Sequence, residues 1–201
     1  MKKAGLLIVC FCFVLSGFTQ ANWEYEFVKK VNPENPNSAV WKAFSTSAKP
    51  IAVALPLGLF AGYLITKDKS LGQDAAETGM SLAISSIVTQ SIKILVQRPR
   101  PYETHSDIYP DATDNGYSFP SGHTSSAFST ATSIMLISKK WYYTVPAFVW
   151  ATGVGYSRMY LGQHYPSDVF VGALVGSGSA LASHWLTKKI FAGKKQKAIT
   201  P

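Results

Sequence analysis

Charge is scarce in this chain. Charged residues fill 15% of its 201 positions, where soluble domains carry roughly 25%. That shortage, beside 13% aromatic residues, points to a membrane protein. Cysteine is scarcer still. Cys10 and Cys12 are the only two, and both lie in the first apolar run. If that run is cleaved, none remain, which excludes a disulfide framework and a thiolate metal site. Neither follows a Leu-x-Gly/Ala sequence, so no lipid anchor is read. No carboxylate cluster suited to Mg²⁺ and no Cys/His zinc spacing occurs. Internal repeats and low-complexity segments are also lacking. The net charge of +8 does not imply nucleic acid. Its cations sit in short clusters between apolar runs, which suits membrane topology.

Mean hydropathy is only +0.08, and the cause is local. The apolar runs are rich in Gly, Ser and Thr, as helix–helix interfaces in bilayers are. Residues 1–21 read as a secretory signal: Lys2 and Lys3 start it, an apolar stretch follows, and Thr19-Gln20-Ala21 offers small residues for cleavage. An uncleaved first transmembrane helix is the alternative. Residues 22–49 read as an extracytoplasmic, interfacial segment of short helices, with Trp23, Tyr25 and Phe27 alternating with Glu24 and Glu26. An ordinary packing arm is the alternative. Five spans follow, at 50–66, 75–96, 120–138, 141–157 and 169–186. The expected fold is an all-α integral membrane helical bundle of about five spans after the signal, or six if the signal is retained. Its main domain covers residues 50–190, with a basic cytoplasmic tail at 191–201. A soluble helical bundle is the competing architecture.

Lysines orient the bundle. Lys2-Lys3, Lys67/Lys69, Lys139-Lys140 and the cluster beginning at Lys188 all fall at one end of the alternating spans. Positive clusters face the cytoplasm. The residues that carry chemistry fall at the other end, so the active face is expected outside. Beside it lies the acidic loop 102–119, read as a solvated loop or a lid.

Three short stretches carry the chemistry. In Ser157-Arg158-Met159-Tyr160-Leu161-Gly162-Gln163-His164-Tyr165-Pro166-Ser167-Asp168, His164 and Asp168 are four apart. If the chain is helical through Pro166, they share a face. A carboxylate on one imidazole nitrogen fixes the tautomer and makes the other a better nucleophile. Arg158 offers a planar fork of donors suited to phosphate. Lys93 precedes Arg100-Pro101 by seven residues, and Arg98 is left as a surface cation. In Pro120-Ser121-Gly122-His123, Ser121 is a good N-cap and Gly122 lets an anion approach helix-start amides. Each stretch also has a plain reading: a solvated rim, a snorkelling lysine, a capping turn. His105 and His184 read as a loop residue and a membrane-boundary residue.

Together the three stretches resemble the signature of the type 2 phosphatidic acid phosphatase (PAP2) superfamily: Lys-x6-Arg-Pro, then Pro-Ser-Gly-His, then Ser-Arg-x5-His-x3-Asp. Every fixed position is matched, in order, across residues 93–168. The resemblance implies a PAP2/haloperoxidase-like core and a metal-independent, cofactor-free lipid phosphatase. Such an enzyme works through a phosphohistidine, with its site on the periplasmic or exterior face of a bacterial inner membrane. It assigns His164 as nucleophile, Asp168 as its orienting partner and His123 as general acid. It assigns Lys93, Arg100, Ser121, Gly122 and Arg158 to phosphate binding. Its partners are a lipid phosphate or pyrophosphate and the membrane. The rivals are a vanadium haloperoxidase, a soluble secreted acid phosphatase, and a non-catalytic binding or transport protein.

Overall fold

The computed structural model describes residues 22–197, with side chains through Phe191. The expected signal segment therefore lies outside the described residues. Seven helices follow one another: α1 Asn22–Val31, α2 Ala39–Thr66, α3 Lys69–Val96, α4 Pro101–Thr104, α5 Gly122–Ser138, α6 Trp141–Tyr160 and α7 Pro166–Lys197. Among the described residues there is no strand. The described residues form an all-helical bundle, as expected from the alternating apolar runs.

Local chemistry sets the boundaries. Asp68 Oδ1 accepts the Ser70 amide at 2.9 Å and starts α3, as a helix N-cap should. Pro99 follows its end, and Pro101 opens α4 at the position where a missing N–H costs nothing. Pro166 opens α7 in the same way.

One boundary differs. α2 begins at Ala39, not at residue 50, and runs straight through Pro50 and Pro56. A proline usually marks a helix start or break. Membrane helices tolerate it because neighbouring hydroxyls and helices satisfy the backbone. Here the prolines leave the carbonyls of Thr46 and Ala52, one turn back, without their helix donors, and α3, α5 and α6 pack around α2.

The segment 22–49 also differs in polarity. On α1 it is Glu24 and Val28 that are buried, while Trp23 and Phe27 are exposed. The paired charge described below explains how Glu24 stays inside.

Helix α5 is the centre: α2, α3, α6 and α7 all pack on it. Among the described residues, three stretches are long and apolar enough to cross a membrane: 39–66, 166–191 and one that begins with α3 at residue 69. A helix stands at each of the five expected positions, but α5 and α6 do not reach the length and hydropathy of a span. α5 has only 17 residues, and its buried positions are mostly Ser, Thr and Ala. A helix ringed by other helices has little lipid to face, so it can be polar.

Hydroxyl pairs join it to α3: Ser81 to Ser129 at 2.7 Å, Thr89 to Ser125 at 2.8 Å, and Ser85 to Ser125. Such interhelical bonds contribute about 0.6 kcal/mol each. Glycines close the seam with α7, where a β-carbon on Gly172 would stand 2.7 Å from the Ser121 carbonyl oxygen. The lysine pairs at the α2–α3 and α5–α6 turns lie at one end of the bundle. The three motifs lie at the other.

Candidate active site

The third motif is split between two elements. α6 ends at Tyr160 and α7 starts at Pro166, so His164 sits in the intervening turn and Asp168 in the first turn of α7. Helical continuity through Pro166 does not hold, because a helix-opening proline separates the two. The pair still meets, since Asp168 folds back over the turn. Its Oδ2 accepts the Tyr165 amide at 2.8 Å and lies 3.5 Å from His164 Nδ1.

Ser118 lies nearer the imidazole than the carboxylate does. Its hydroxyl is 3.3 Å from His164 Nδ1 and donates to Asp168 Oδ2. The arrangement suits a proton on Nδ1, which leaves Nε2 with its lone pair. Both His164 and Asp168 are buried. Burial first, then the charges of Arg158, Lys93 and Arg100, hold the His164 imidazole well below its usual value of 6.5.

A cavity of about 270 Å³ opens beside it, lined by His164, His123, Gly122, Lys93 and Arg100 among others. His123 and Gly122 arrive on the first turn of α5. Ser121 caps that helix: its Oγ accepts from the Thr124 amide at 3.5 Å and from the Thr124 hydroxyl at 2.9 Å. Its amide is engaged as well, donating to the Asp168 carbonyl at 2.9 Å. Ser121 is fully buried and does not line the cavity, so its contribution is to shape the turn that presents Gly122 and His123.

The cations converge on the same end. Arg100 Nη1 donates to the Gln163 carbonyl at 3.2 Å and to its side chain at 3.1 Å. Lys93 Nζ donates to the carbonyls of Tyr117 and Ser118. Arg158 is held by Ser45 of α2 through Nη1. Its Nε is buried with no acceptor, and such a donor is costly to leave unmade.

Loop 102–119 is not simply solvated. Asp114 reaches over the cations, with Oδ2 3.2 Å from Arg158 Nη2 and 3.6 Å from Arg100 Nη2. Partial burial opposes its ionisation, but Arg100 and Arg158 outweigh that and hold its carboxyl below the usual range. A carboxylate therefore already occupies one nitrogen of each arginine. Asp107 ties the loop to α1 by an ion pair to Lys29 at 2.7 Å.

Sequence reasoning missed several residues. Arg98 is no surface cation: it is buried, and it joins Asp168 to Glu24. Ser118, Lys49, Gln90 and Asn115 were also unread, although all but Ser118 line the cavity. A lysine inside an apolar helix was the available signal for Lys49. His105 stacks on Tyr25 at 4.1 Å, and His184 pairs with Glu77 at 2.8 Å near the lysine-rich end. Neither belongs to the site.

Known proteins fit this picture. The chain is 35% identical over 101 residues to an undecaprenyl-diphosphatase of Sulfolobus acidocaldarius, covering 49% of this chain and 48% of that one. It is 28% identical over 156 residues to undecaprenyl-diphosphatase BcrC of Bacillus subtilis, covering 75% and 77%. It is 35% identical over 82 residues to phosphatidylglycerophosphatase B of Escherichia coli, covering 38% and 32%. Against the Sulfolobus relative the chain spans about half the length, and against the Escherichia one about a third.

Two solved structures share the fold. A transmembrane PAP2-type phosphatidylglycerolphosphate phosphatase from Bacillus subtilis superposes with a TM-score of 0.67 at 21% identity, covering 94% of this chain and 98% of that one. LpxE from Aquifex aeolicus gives 0.63 at 24%, covering 79% and 91%. The PAP2 superfamily family model matches residues 74–192, more than half of the chain and all three motifs, so this multi-pass helical membrane protein belongs to the PAP2 superfamily.

Proposed function

We propose that the chain is a lipid phosphatase that cleaves a phosphate monoester or diphosphate through a phosphohistidine. The observation that carries the reading is one cavity holding His164, backed by Ser118 and Asp168, beside Lys93 and Arg100. In this mechanism Nε2 of His164 attacks phosphorus. The P–O bond to the leaving group breaks, and His123 gives that oxygen a proton. Lys93, Arg100 and Arg158 neutralise the charge on the non-bridging oxygens, and the α5 N-terminus adds amides at Gly122. Water then attacks the phosphohistidine and releases phosphate. The relatives' names support lipid phosphates as the substrate class. The lysines opposite the motifs support a site facing the periplasm or exterior of a bacterial inner membrane.

The test is phosphate release by purified protein, with EDTA present, across lipid and water-soluble phosphates. Release from lipid substrates is expected. Activity lost in EDTA and restored by Mg²⁺ contradicts the reading, because fixed cations do the metal's work in it.

The attacking imidazole must be neutral, and its depressed pKa keeps it so. The neutral form persists as pH falls past 6.5 and is lost only through the lower folded value. The acid limb of kcat/KM, corrected for the substrate's own phosphate ionisation, is expected below that pH. A limb assigned to His164 above it counts against the assignment.

Asp114 gives a prediction of opposite sign. A phosphate must displace its carboxylate from Arg158 and Arg100. Asp114→Asn removes the competing charge but keeps the shape. Vanadate and inorganic phosphate should then inhibit about tenfold more tightly, a shift of about 1.4 kcal/mol. Weaker inhibition shows instead that Asp114 only holds the arginines in place.

A further inference from the structure

We infer that Glu24 and Arg98, outside all three motifs, are positioning residues that set the His164–Asp168 pair. The inference rests on the phosphohistidine reading above. Arg98 follows the end of α3, and each arm of its guanidinium holds one carboxylate. Nη1 donates to Asp168 Oδ1 at 2.8 Å and to Ser167 Oγ at 2.7 Å. Nη2 donates to Glu24 Oε2 at 2.8 Å. The other Glu24 oxygen, Oε1, accepts the Ser167 amide at 2.9 Å. The guanidinium lies 3.9 Å from the centre of the Tyr165 ring. Tyr165, Ser167 and Asp168 all belong to the short stretch that follows His164, so the clamp grips the backbone that aims the imidazole. Glu24 is 1% exposed, Arg98 8% and Asp168 0%.

The physics has two parts. Asp168 is too deeply buried to stay ionised without an opposite charge, and Arg98 supplies it. One arm of the Arg98 fork holds Asp168 and Ser167. Glu24 occupies its second arm, fixes the plane of the fork and holds Ser167 from the other direction. Asp168 Oδ2 is thereby left facing Ser118, Tyr165 N and His164. Glu24 lies on α1, well before residues 74–192 that match the family. Helix α1 therefore supports the nucleophile through a chain of charges.

A plain structural staple is the competing explanation, and α1 allows the two to be separated. It is docked independently at its other end. Val28 is fully buried. The Asn32 side chain donates to the carbonyls of Tyr109 and Tyr160, each at 2.8 Å, and accepts the Tyr109 amide at 2.7 Å. Glu24→Gln should thus fold with α1 in place.

The experiment measures single-turnover phosphoenzyme formation, substrate KM and vanadate inhibition on the full chain in detergent. The variants are Glu24→Gln, Arg98→Lys and Arg98→Met, each made in the natural and the Asp168→Asn background. Glu24→Gln is expected to slow phosphorylation about tenfold, within the range for partners that orient a reacting imidazole. KM and vanadate inhibition should stay within about twofold, because Lys93, Arg100 and Arg158 are untouched. Arg98→Lys keeps the charge without the fork and should fall between the natural protein and Arg98→Met.

In the Asp168→Asn background, Glu24→Gln should add almost nothing, since residues acting through one partner are not additive. An equal loss in both backgrounds overturns the inference. So does a lowered melting temperature with natural phosphorylation rates. If His164→Ala still accepts labelled phosphate, this inference falls together with the mechanism it rests on. If His164→Ala accepts none and Glu24→Gln phosphorylates at the natural rate, this inference falls alone.

Discussion

His164→Ala is expected to form no phosphoenzyme and to lose roughly 10⁴- to 10⁶-fold in kcat, the scale seen when a nucleophile is removed. His123 and His164 both line the cavity, so proximity does not choose between them. Their surroundings do. His164 Nδ1 faces Ser118 Oγ at 3.3 Å and Asp168 Oδ2 at 3.5 Å, which turns Nε2 into the lone-pair nitrogen. His123 has no carboxylate within ion-pair distance among the described residues. Nothing there fixes its tautomer for attack, so the proposed mechanism gives it the leaving oxygen instead. His123→Ala should slow release of alkoxide leaving groups and do least harm where the leaving group needs no proton. Asp168→Asn should keep the fold but cut kcat by up to about 10⁴-fold, since the imidazole loses its anionic partner. The check is to trap the protein with labelled substrate and map the phosphoryl group. Label on the His164→Ala protein, or label mapped to His123, reverses the two roles.

The motif residues were legible because each set is nearly contiguous. Ser121, Gly122 and His123 lie side by side, and Arg158 to Asp168 spans three helical turns' worth of chain. The same locality made the helices legible. α3 ends at Val96 and α5 at Ser138, where charge or proline stops the apolar run. What stayed hidden is non-local. Arg98 meets Glu24 across 74 positions and Asp168 across 70, and Ser118 meets Asp168 across 50. No periodicity reports such a pairing. A buried arginine and an exposed one look alike in a string, as do a carboxylate facing water and Asp114 facing two arginines. The start of α2 was hidden for another reason. The usual rule for proline describes helices in water, and Pro50 lies in one suited to lipid.

Gly176→Ala is expected to destabilise the protein by about 1–3 kcal/mol, the usual cost of overpacking, and to disturb the site with it. Helices α5 and α7 touch through bare backbone. A β-carbon at Gly176 would overlap the Ser125 carbonyl oxygen and stand 2.8 Å from the Ser129 amide nitrogen. Those are main-chain atoms, so no rotamer change relieves the overlap, and the two helices must separate. Small residues serve this purpose in membranes, where tight packing and interhelical bonds replace the hydrophobic drive.

Separation has a chemical cost as well. α5 carries Gly122 and His123, α7 carries Asp168, and the Ser121 amide donates to the Asp168 carbonyl across the same seam at 2.9 Å. Widening it moves the proposed proton donor, His123, away from Asp168, the partner of the proposed nucleophile. Gly178 supplies the control, because nothing lies within 4 Å of a β-carbon there. Gly178→Ala gains helix propensity and should stabilise by up to about 1 kcal/mol. Melting temperature in detergent and kcat, measured on both variants, decide the matter. Equal stability of the two variants would show that α5 and α7 do not meet at Gly176 as closely as described. A Gly176→Ala protein that melts earlier yet keeps its full kcat would show that the seam holds the bundle without setting the site.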